Sequence, residues 1–206
     1  MYSKKAAGIL SKDPTLEKII QKISPDTLYK ADSSVPLYNY LIRSIVGQQL
    51  STKVAQVIYD RFLDLYGRKM PSAQVLKNTD DELLRSCGLS GQKSSYIKNI
   101  ASFWIENKLH KTEFSELEDE EIISLLTQIK GVGQWTVQMV LMFCLGRQDV
   151  FSPEDFGIIS AMQDVYKLDL QGTKLKKECI EISQRWKPHR TLACFYLWAY
   201  KDQKKS

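Results

Sequence analysis

The sequence predicts an all-α protein of roughly ten helices joined by short loops, and three observations carry that prediction. Apolar residues recur at helical spacing, three or four apart, from Leu16 to Trp198. No run alternates apolar and polar residues between hairpin turns, as a half-buried strand would. Glycines, prolines, acids and serines stand where the apolar periods begin and end, which are the positions of helix caps and breaks.

In chain order, Leu16, Ile19, Ile20 and Ile23 set a helix over Thr15 to Ile23, which Pro25-Asp26 breaks. From Pro36 a more apolar helix carries Leu37, Tyr40, Leu41, Ile42, Ile45 and Val46 and ends at Gly47-Gln48-Gln49-Leu50. Ser51 is the expected N-cap of the next, with Val54, Val57, Ile58, Phe62 and Leu65 on one face and a stop at Gly67. Pro71-Ser72 opens a short helix to Leu76. Asp80-Asp81-Glu82 opens another that ends near Gly88, with acids in the first turn to complement the macrodipole. Ser90-Gly91-Gln92-Lys93 starts a longer helix with Tyr96, Ile97, Ile100, Phe103 and Trp104 inward. Cys87-Gly88-Leu89-Ser90-Gly91 places two glycines before it, as a degenerate hairpin or as ordinary capping. Glu118 to Glu121 begins a helix that runs to Lys130; Gly131-Val132-Gly133 follows, and Trp135-Thr136 opens the next helix at once. After Pro153 comes a helix with Phe156, Ile158, Ile159, Met162 and Val165, then one from Thr173 to Trp186. Pro188 introduces the last, with Leu192, Phe195, Tyr196, Leu197 and Trp198.

The 206 residues suffice for one domain or two small lobes with a sizeable core. A hydrophobic fraction of 43% and a charged fraction of 26% are those of an ordinary soluble globular protein. Against 24 Asp+Glu stand 29 Lys+Arg, a net charge of +5 that leans toward an anionic partner without specifying one. Cys87, Cys144, Cys179 and Cys194 form no Cys-x-x-Cys pair, which argues against zinc-finger and iron–sulfur spacing. The last three lie among apolar neighbours, as reduced core thiols of an intracellular protein do. Two histidines, His110 and His189, argue against a histidine metal site. The start, Met1-Tyr2-Ser3-Lys4-Lys5, lacks an apolar signal core, and no segment reaches membrane-spanning length.

The informative stretch is Leu125 to Asp155. Glycine takes positive φ without steric cost and lets a ligand approach the backbone. Amides of a Gly-Val-Gly hairpin at a helix N-terminus can therefore face an anion such as a phosphodiester, although the same spacing also makes a plain αα-turn. Asp155, after Ser152-Pro153-Glu154, reads either as a helix-start acid or as a functional carboxylate. Gln48 and Gln49 read as a polar cap, and Trp135, Phe156 and Trp198, each taken alone, as core.

Leu126-x-x-Ile129-Lys130-Gly131-Val132-Gly133-x-Trp135-Thr136, with Asp155 twenty residues after the tryptophan, resembles the helix-hairpin-helix DNA glycosylase superfamily. The DNA-3-methyladenine glycosylase II branch is the nearest in pattern. Ile42-Arg43-Ser44-Ile45-Val46-Gly47-Gln48-Gln49-Leu50-Ser51 and Trp186-Lys187-Pro188-His189-Arg190-Thr191-Leu192-Ala193, with Trp198, extend the likeness over residues 35 to 200. It implies two helical lobes, from about 1–50 plus 150–206 and from about 51–149, with a catalytic cleft between them. It implies Asp155 as the catalytic carboxylate, with Glu154 beside it as second choice. It implies a base pocket of Trp135, Met139, Phe156 and Trp198, and DNA contacts from Gln48, Gln49, Lys130, Gly131, Val132, Gly133 and Thr136. One glutamine would fill the gap of a flipped nucleotide; the sequence leaves open which. Arg190 and Lys93 could touch phosphate or pair with acids, and the tail lysines Lys201, Lys204 and Lys205 read as solvated.

Trp135 stands where relatives resembling endonuclease III carry a Schiff-base lysine, so the resemblance implies hydrolysis without lyase chemistry. It also implies no required cofactor, with a monovalent-cation site at the backbone carbonyls of Thr127, Ile129 and Val132. The expected substrates are alkylated purines, 3-methyladenine and 7-methylguanine, in double-stranded DNA, met by an intracellular monomer, cytoplasmic in a bacterium or nuclear in a eukaryote, with no membrane partner. Met139, where some relatives have tyrosine, leaves fine specificity open. Only about 35 residues precede the first motif, as in the compact members that lack a β-rich N-terminal domain. Two alternatives stand beside this reading: a glycosylase for oxidised or deaminated bases, and a non-catalytic helix-hairpin-helix DNA-binding module.

Overall fold

The computed structural model describes residues 4–204; of the segments read in the sequence, Met1 to Ser3 and Lys205 lie outside the described residues. Among the described residues the chain forms twelve α-helices with short 3-10 turns, one π-helical turn and no strand. The chain opens with α1 (Lys4–Leu10) and α2 (Pro14–Ile20). The sequence reading missed α1, whose buried residues, Ala6 and Leu10, are too few to set a period. α2 ends earlier than expected: Gln21 is its C-cap, and a 3-10 turn follows at Pro25–Thr27.

Seven helices follow: α3 (Leu37–Gly47), α4 (Thr52–Asp64), α5 (Ala73–Asn78), α6 (Asp81–Ser86), α7 (Gly91–Glu106), α8 (Asp119–Leu126) and α9 (Gln134–Met139). Together they form a compact unit, Ser33–Val140. Side-chain caps fix their starts. Ser51, Ser72 and Ser90 accept from the N–H three residues on, and Asp80 from that of Glu82. The longest helix, α7, packs against α3, α5 and α6, burying Ile97 and Ile100 beside Ile42, Ile45, Leu76 and Leu84. Because α3 packs on both α4 and α7, the segment 33–50 belongs to this central unit and not, as expected, to the terminal lobe. The two glycines before α7 resolve into ordinary capping, with Gly88 at φ +103° and Ser90 as N-cap. In α4 the expected apolar face is half right: Phe62 is buried, but Val54 and Val57 are exposed. Five apolar residues at helical spacing do not say how far along its length a helix is covered.

The second unit, Met1–Asp32 with Leu141–Ser206, is completed by α10 (Phe156–Val165), α11 (Gly172–Ser183) and α12 (Arg190–Gln203). α11 stops at Ser183, and Trp186 sits in a 3-10 turn after it. α12 buries every residue from Thr191 to Leu197 and packs against α1, α2 and α10. Where α1 meets α2, the buried carboxylate of Asp13 gathers four donors. Oδ1 caps α2 through Thr15 N (3.0 Å) and Leu16 N (3.2 Å); Oδ2 accepts from the Tyr166 hydroxyl (2.8 Å) and Trp186 Nε1 (3.3 Å). The tail is less solvated than expected. Lys201 Nζ donates to Ser160 Oγ (2.6 Å), and Lys204 pairs with Asp164.

All four cysteines are buried, and none is in a disulfide. Burial pushes the thiols of Cys144 and Cys179 up to about 11 and raises those of Cys87 and Cys194 as well. Among the described residues no helix is long and apolar enough to cross a membrane.

Replacing Asp13 by alanine would remove a helix cap and strand a buried phenol and indole N–H without an acceptor. The expected loss is about 3 kcal/mol of unfolding free energy in chemical denaturation. Asp13→Asn keeps an acceptor for the cap and should lose about 1 kcal/mol less.

Candidate functional site

In the central unit the hairpin is held from three sides. α8 stops at Leu126, four residues before the expected Lys130, with Thr127 as its C-cap; the amide (3.0 Å) and hydroxyl (2.7 Å) of Thr127 both donate to the Ile123 carbonyl. Gly131 then takes φ +106°, a conformation that side-chain-bearing residues rarely adopt. Its missing side chain also matters: a Cβ there would lie 2.2 Å from Cγ of Tyr96, so the tyrosine ring packs directly on the glycine. Asn99, one turn further along α7, donates to the Lys130 carbonyl (3.1 Å), and Gln48 reaches the Gly131 carbonyl at 3.5 Å. Gln92 Nε2 donates to the Tyr96 hydroxyl (2.6 Å) and fixes the ring. Tyr96 and Asn99 escaped the sequence reading as site residues, for only the fold shows which face of α7 meets the turn.

Gly133 is the N-cap of α9, and as a glycine it brings no side chain to cap the helix. Lys130, Gly133 and Trp135 are exposed, the last at 38%. Val132, Thr136 and Met139, expected at the DNA or the base, have buried side chains. The inward face of α9 needs apolar and compact residues, and these supply it. The Ile129 carbonyl, one of the three offered to a monovalent cation, already accepts from Val132 N (2.9 Å) and keeps one lone pair for an ion. Among the described residues no group of three or more His, Cys, Asp and Glu could hold a metal ion.

The loop after α3 distinguishes the two glutamines. Gln48 is part-buried and turned toward the hairpin carbonyl, whereas Gln49 is exposed at φ +59°. Lys93 takes neither an acid nor a phosphate as its partner here: its ammonium donates to the Val46 carbonyl (2.8 Å) at the end of α3, and burial lowers its pKa. A separate cavity of about 670 Å³, with Tyr38, Trp104 and Phe114 among its walls, contains none of the expected site residues.

In the other unit Asp155 is the helix-start acid that the sequence allows. It is the N-cap of α10, and it is 8% exposed with Oδ1 shared by two donors: Ile158 N (2.9 Å) and Trp198 Nε1 (2.9 Å). The indole is fixed in turn. Phe143 and Phe195 lie nearly parallel to it, with centroids 5.7 and 5.8 Å away, and Tyr29 meets it edge-on at 5.7 Å. Tyr29 is anchored by donating to Asp202 Oδ2 (2.8 Å). Burial foremost, then that hydrogen bond, pushes its phenol up to about 12, and the charges of Asp202 and Asp155 add to the rise. Tyr29 therefore stays neutral at physiological pH. Neither Tyr29 nor Phe143 was found from sequence, since both come from segments with no motif.

Phe156, the residue after Asp155, is not core: it is 83% exposed at the first turn of α10. Glu154 is paired with Lys176 (2.5 Å), as a surface acid. Arg190 takes the acid-pairing option, clasping Asp149 through Nε (2.8 Å) and Nη2 (3.0 Å) and its carbonyl through Nη2 (2.8 Å).

Comparison with known proteins matches residues 42–189 to the family described as HhH-GPD superfamily base excision DNA repair protein. DNA-3-methyladenine glycosylase 1 of Schizosaccharomyces pombe is 37% identical over 163 residues, 78% of this chain and 71% of that protein. DNA-3-methyladenine glycosylase of Saccharomyces cerevisiae is 38% identical over 163 residues, 73% of this chain but only 55% of that protein. Among solved structures, S. pombe 3-methyladenine DNA glycosylase (Mag1) in complex with abasic DNA matches with a TM-score of 0.84 at 31% identity, covering 97% of each chain. DNA-3-methyladenine glycosidase from Bacillus halodurans gives 0.82 at 32% identity, covering 98% of this chain and 91% of that one.

Gly131→Ala should destabilise the protein by about 1–3 kcal/mol from backbone strain alone, with the Tyr96 clash adding to it. Thermal melts of Gly131→Ala in the parent and in a Tyr96→Ala background separate the two contributions, and the cost is expected to be smaller in the second.

Proposed function

We infer that this chain, which belongs to the HhH-GPD superfamily of base excision DNA repair proteins, is a DNA glycosylase that hydrolyses the N-glycosidic bond of alkylated purines. The observation that carries the reading is Asp155, a buried carboxylate with one oxygen fixed by a backbone amide and an indole N–H.

Cleaving the bond builds positive charge on the deoxyribose, as in glycoside hydrolysis. A carboxylate already oriented at that point stabilises the charge without having to reorganise, and it can also orient or deprotonate the attacking water. Alkylation at a ring nitrogen makes the purine cationic and a good leaving group, so no dedicated general acid is required. A cationic base over an aromatic face gains about 0.5–2 kcal/mol, and Trp135, Phe156 and Trp198 are the aromatic residues proposed to meet it. The exposure of Phe156 and Trp135 supports that role, since a core residue has no surface to offer. Met139 and Thr136 act as packing on the inward face of α9.

Trp135 in place of a lysine leaves no Schiff-base nucleophile there, so the product is an abasic site in an otherwise intact strand. The substrate is 3-methyladenine or 7-methylguanine in double-stranded DNA, and the chain acts as a monomer in the compartment that holds the DNA. The hairpin Lys130 to Gly133 grips the phosphate backbone through the amides of Gly131 and Gly133 and the lysine charge, while Val132, whose N–H is held by the Ile129 carbonyl, keeps the turn closed; any monovalent cation at the Thr127, Ile129 and Val132 carbonyls is an aid and not a requirement. Gln49 fills the gap left by the extruded base, a role supported by its exposure and by the engagement of Gln48 with the Gly131 carbonyl.

Asp155→Asn should keep its affinity for abasic-site DNA while release of 7-methylguanine from methylated DNA falls by at least about a hundredfold. Undiminished release would overturn the assignment. Running the parent protein on oxidised and deaminated DNA, with mass analysis of the freed bases, tests the substrate class. In the same binding assay Gln49→Ala should weaken abasic-site affinity by about tenfold, and Gln49→Leu, which keeps bulk to fill the gap, should weaken it less.

A further inference from the structure

We propose that Gly157 is a positioning residue for the reaction, and that its missing side chain is what allows Trp198 to hold Asp155. The proposal rests on the role given to Asp155 above. Gly157 lies in the first turn of α10, two residues after Asp155. Its backbone gives no reason for glycine. Unlike Gly131, it does not take positive φ, and alanine is the better residue for a helical turn.

The reason lies in front of it. A Cβ at this position would sit 3.1 Å from Asp155 Oδ1, 3.1 Å from Trp198 Cδ1 and 3.2 Å from Trp198 Nε1. Those atoms are the acceptor, the donor and the donor's ring neighbour in the 2.9 Å hydrogen bond between carboxylate and indole. Contacts this close oblige something to give by a few tenths of an ångström.

The surroundings decide what gives. The indole is backed by Phe143 and Phe195 and edged by Tyr29, which Asp202 holds. Asp155 is tied at both ends, since its carboxylate accepts from Ile158 N and its carbonyl from Ile159 N (3.0 Å). With both partners braced from behind, the softest coordinate left is the hydrogen bond itself. A side chain at 157 lengthens or tilts it, and the carboxylate loses its fixed position relative to the sugar. Misplacement of a reacting group by about an ångström costs on the order of a hundredfold in rate, so a smaller displacement predicts about a tenfold loss.

The test is a double-substitution cycle on release of 7-methylguanine from methylated DNA. Gly157→Ala is expected to lower kcat by about tenfold with KM and abasic-site affinity unchanged, and with a thermal midpoint no lower than the parent's. In a Trp198→Phe background the indole N–H is gone, and the same substitution should change turnover by less than about twofold. Parental turnover in Gly157→Ala would overturn the proposal, as would an equal cost in both backgrounds or a collapse in thermal midpoint that accounts for the lost activity. Asp155→Asn, run alongside, keeps the two readings apart: if it still releases base, the role of Asp155 fails, and if it is inactive while Gly157→Ala is not, only Gly157's role fails.

Discussion

One carboxylate oxygen does two jobs on which the terminal unit depends. Oδ1 of Asp155 closes the first turn of α10 and holds the N–H of Trp198, so a helix start and the aromatic cluster under α12 are joined at a single atom. A residue that only capped a helix would be free to turn to solvent, and one that only met the indole would leave the helix end unsatisfied. Sharing the oxygen removes both freedoms. The result is a buried acid whose orientation is decided by the fold before any ligand arrives, and electrostatic catalysis requires that order of events.

The hairpin in the central unit is rigid for a different reason. Its carbonyls are taken by side chains from elsewhere, Asn99 on Lys130 and Gln48 near Gly131, and a tyrosine ring lies flat against the one glycine that cannot carry a side chain. With its carbonyls tied back, the turn that leads into α9 has little freedom to change shape. The loop that presents Gln49 is coupled to the same turn through its neighbour Gln48. The hairpin and the loop after α3 thereby share one support.

What the sequence made legible was local. Ser51, Ser72, Asp80 and Ser90 were read as helix starts because a cap and its target are two or three residues apart. The Gly-Val-Gly turn and the Asp155 helix start were legible for the same reason, and the family pattern attached meaning to them. Tyr29, Tyr96, Asn99, Phe143 and Gly157 were not legible, because each matters through a contact that only the folded chain creates. Misreadings ran the same way. Val54 and Val57 have the right spacing for a core face and lie on the surface. Spacing assigns a residue to a side of a helix but not to what covers that side.

Burial also decides how the cysteines meet electrophiles. Alkylated purines arise from electrophiles, and the protein nucleophile most vulnerable to electrophiles is a thiolate, not a thiol. With Cys144 and Cys179 raised to about 11, the ionised fraction at pH 7 is about one in ten thousand. Cys87 and Cys194 are raised and shielded from solvent too. Thiols held in this state are poor targets for electrophiles, so the sulfur atoms of the core resist alkylation.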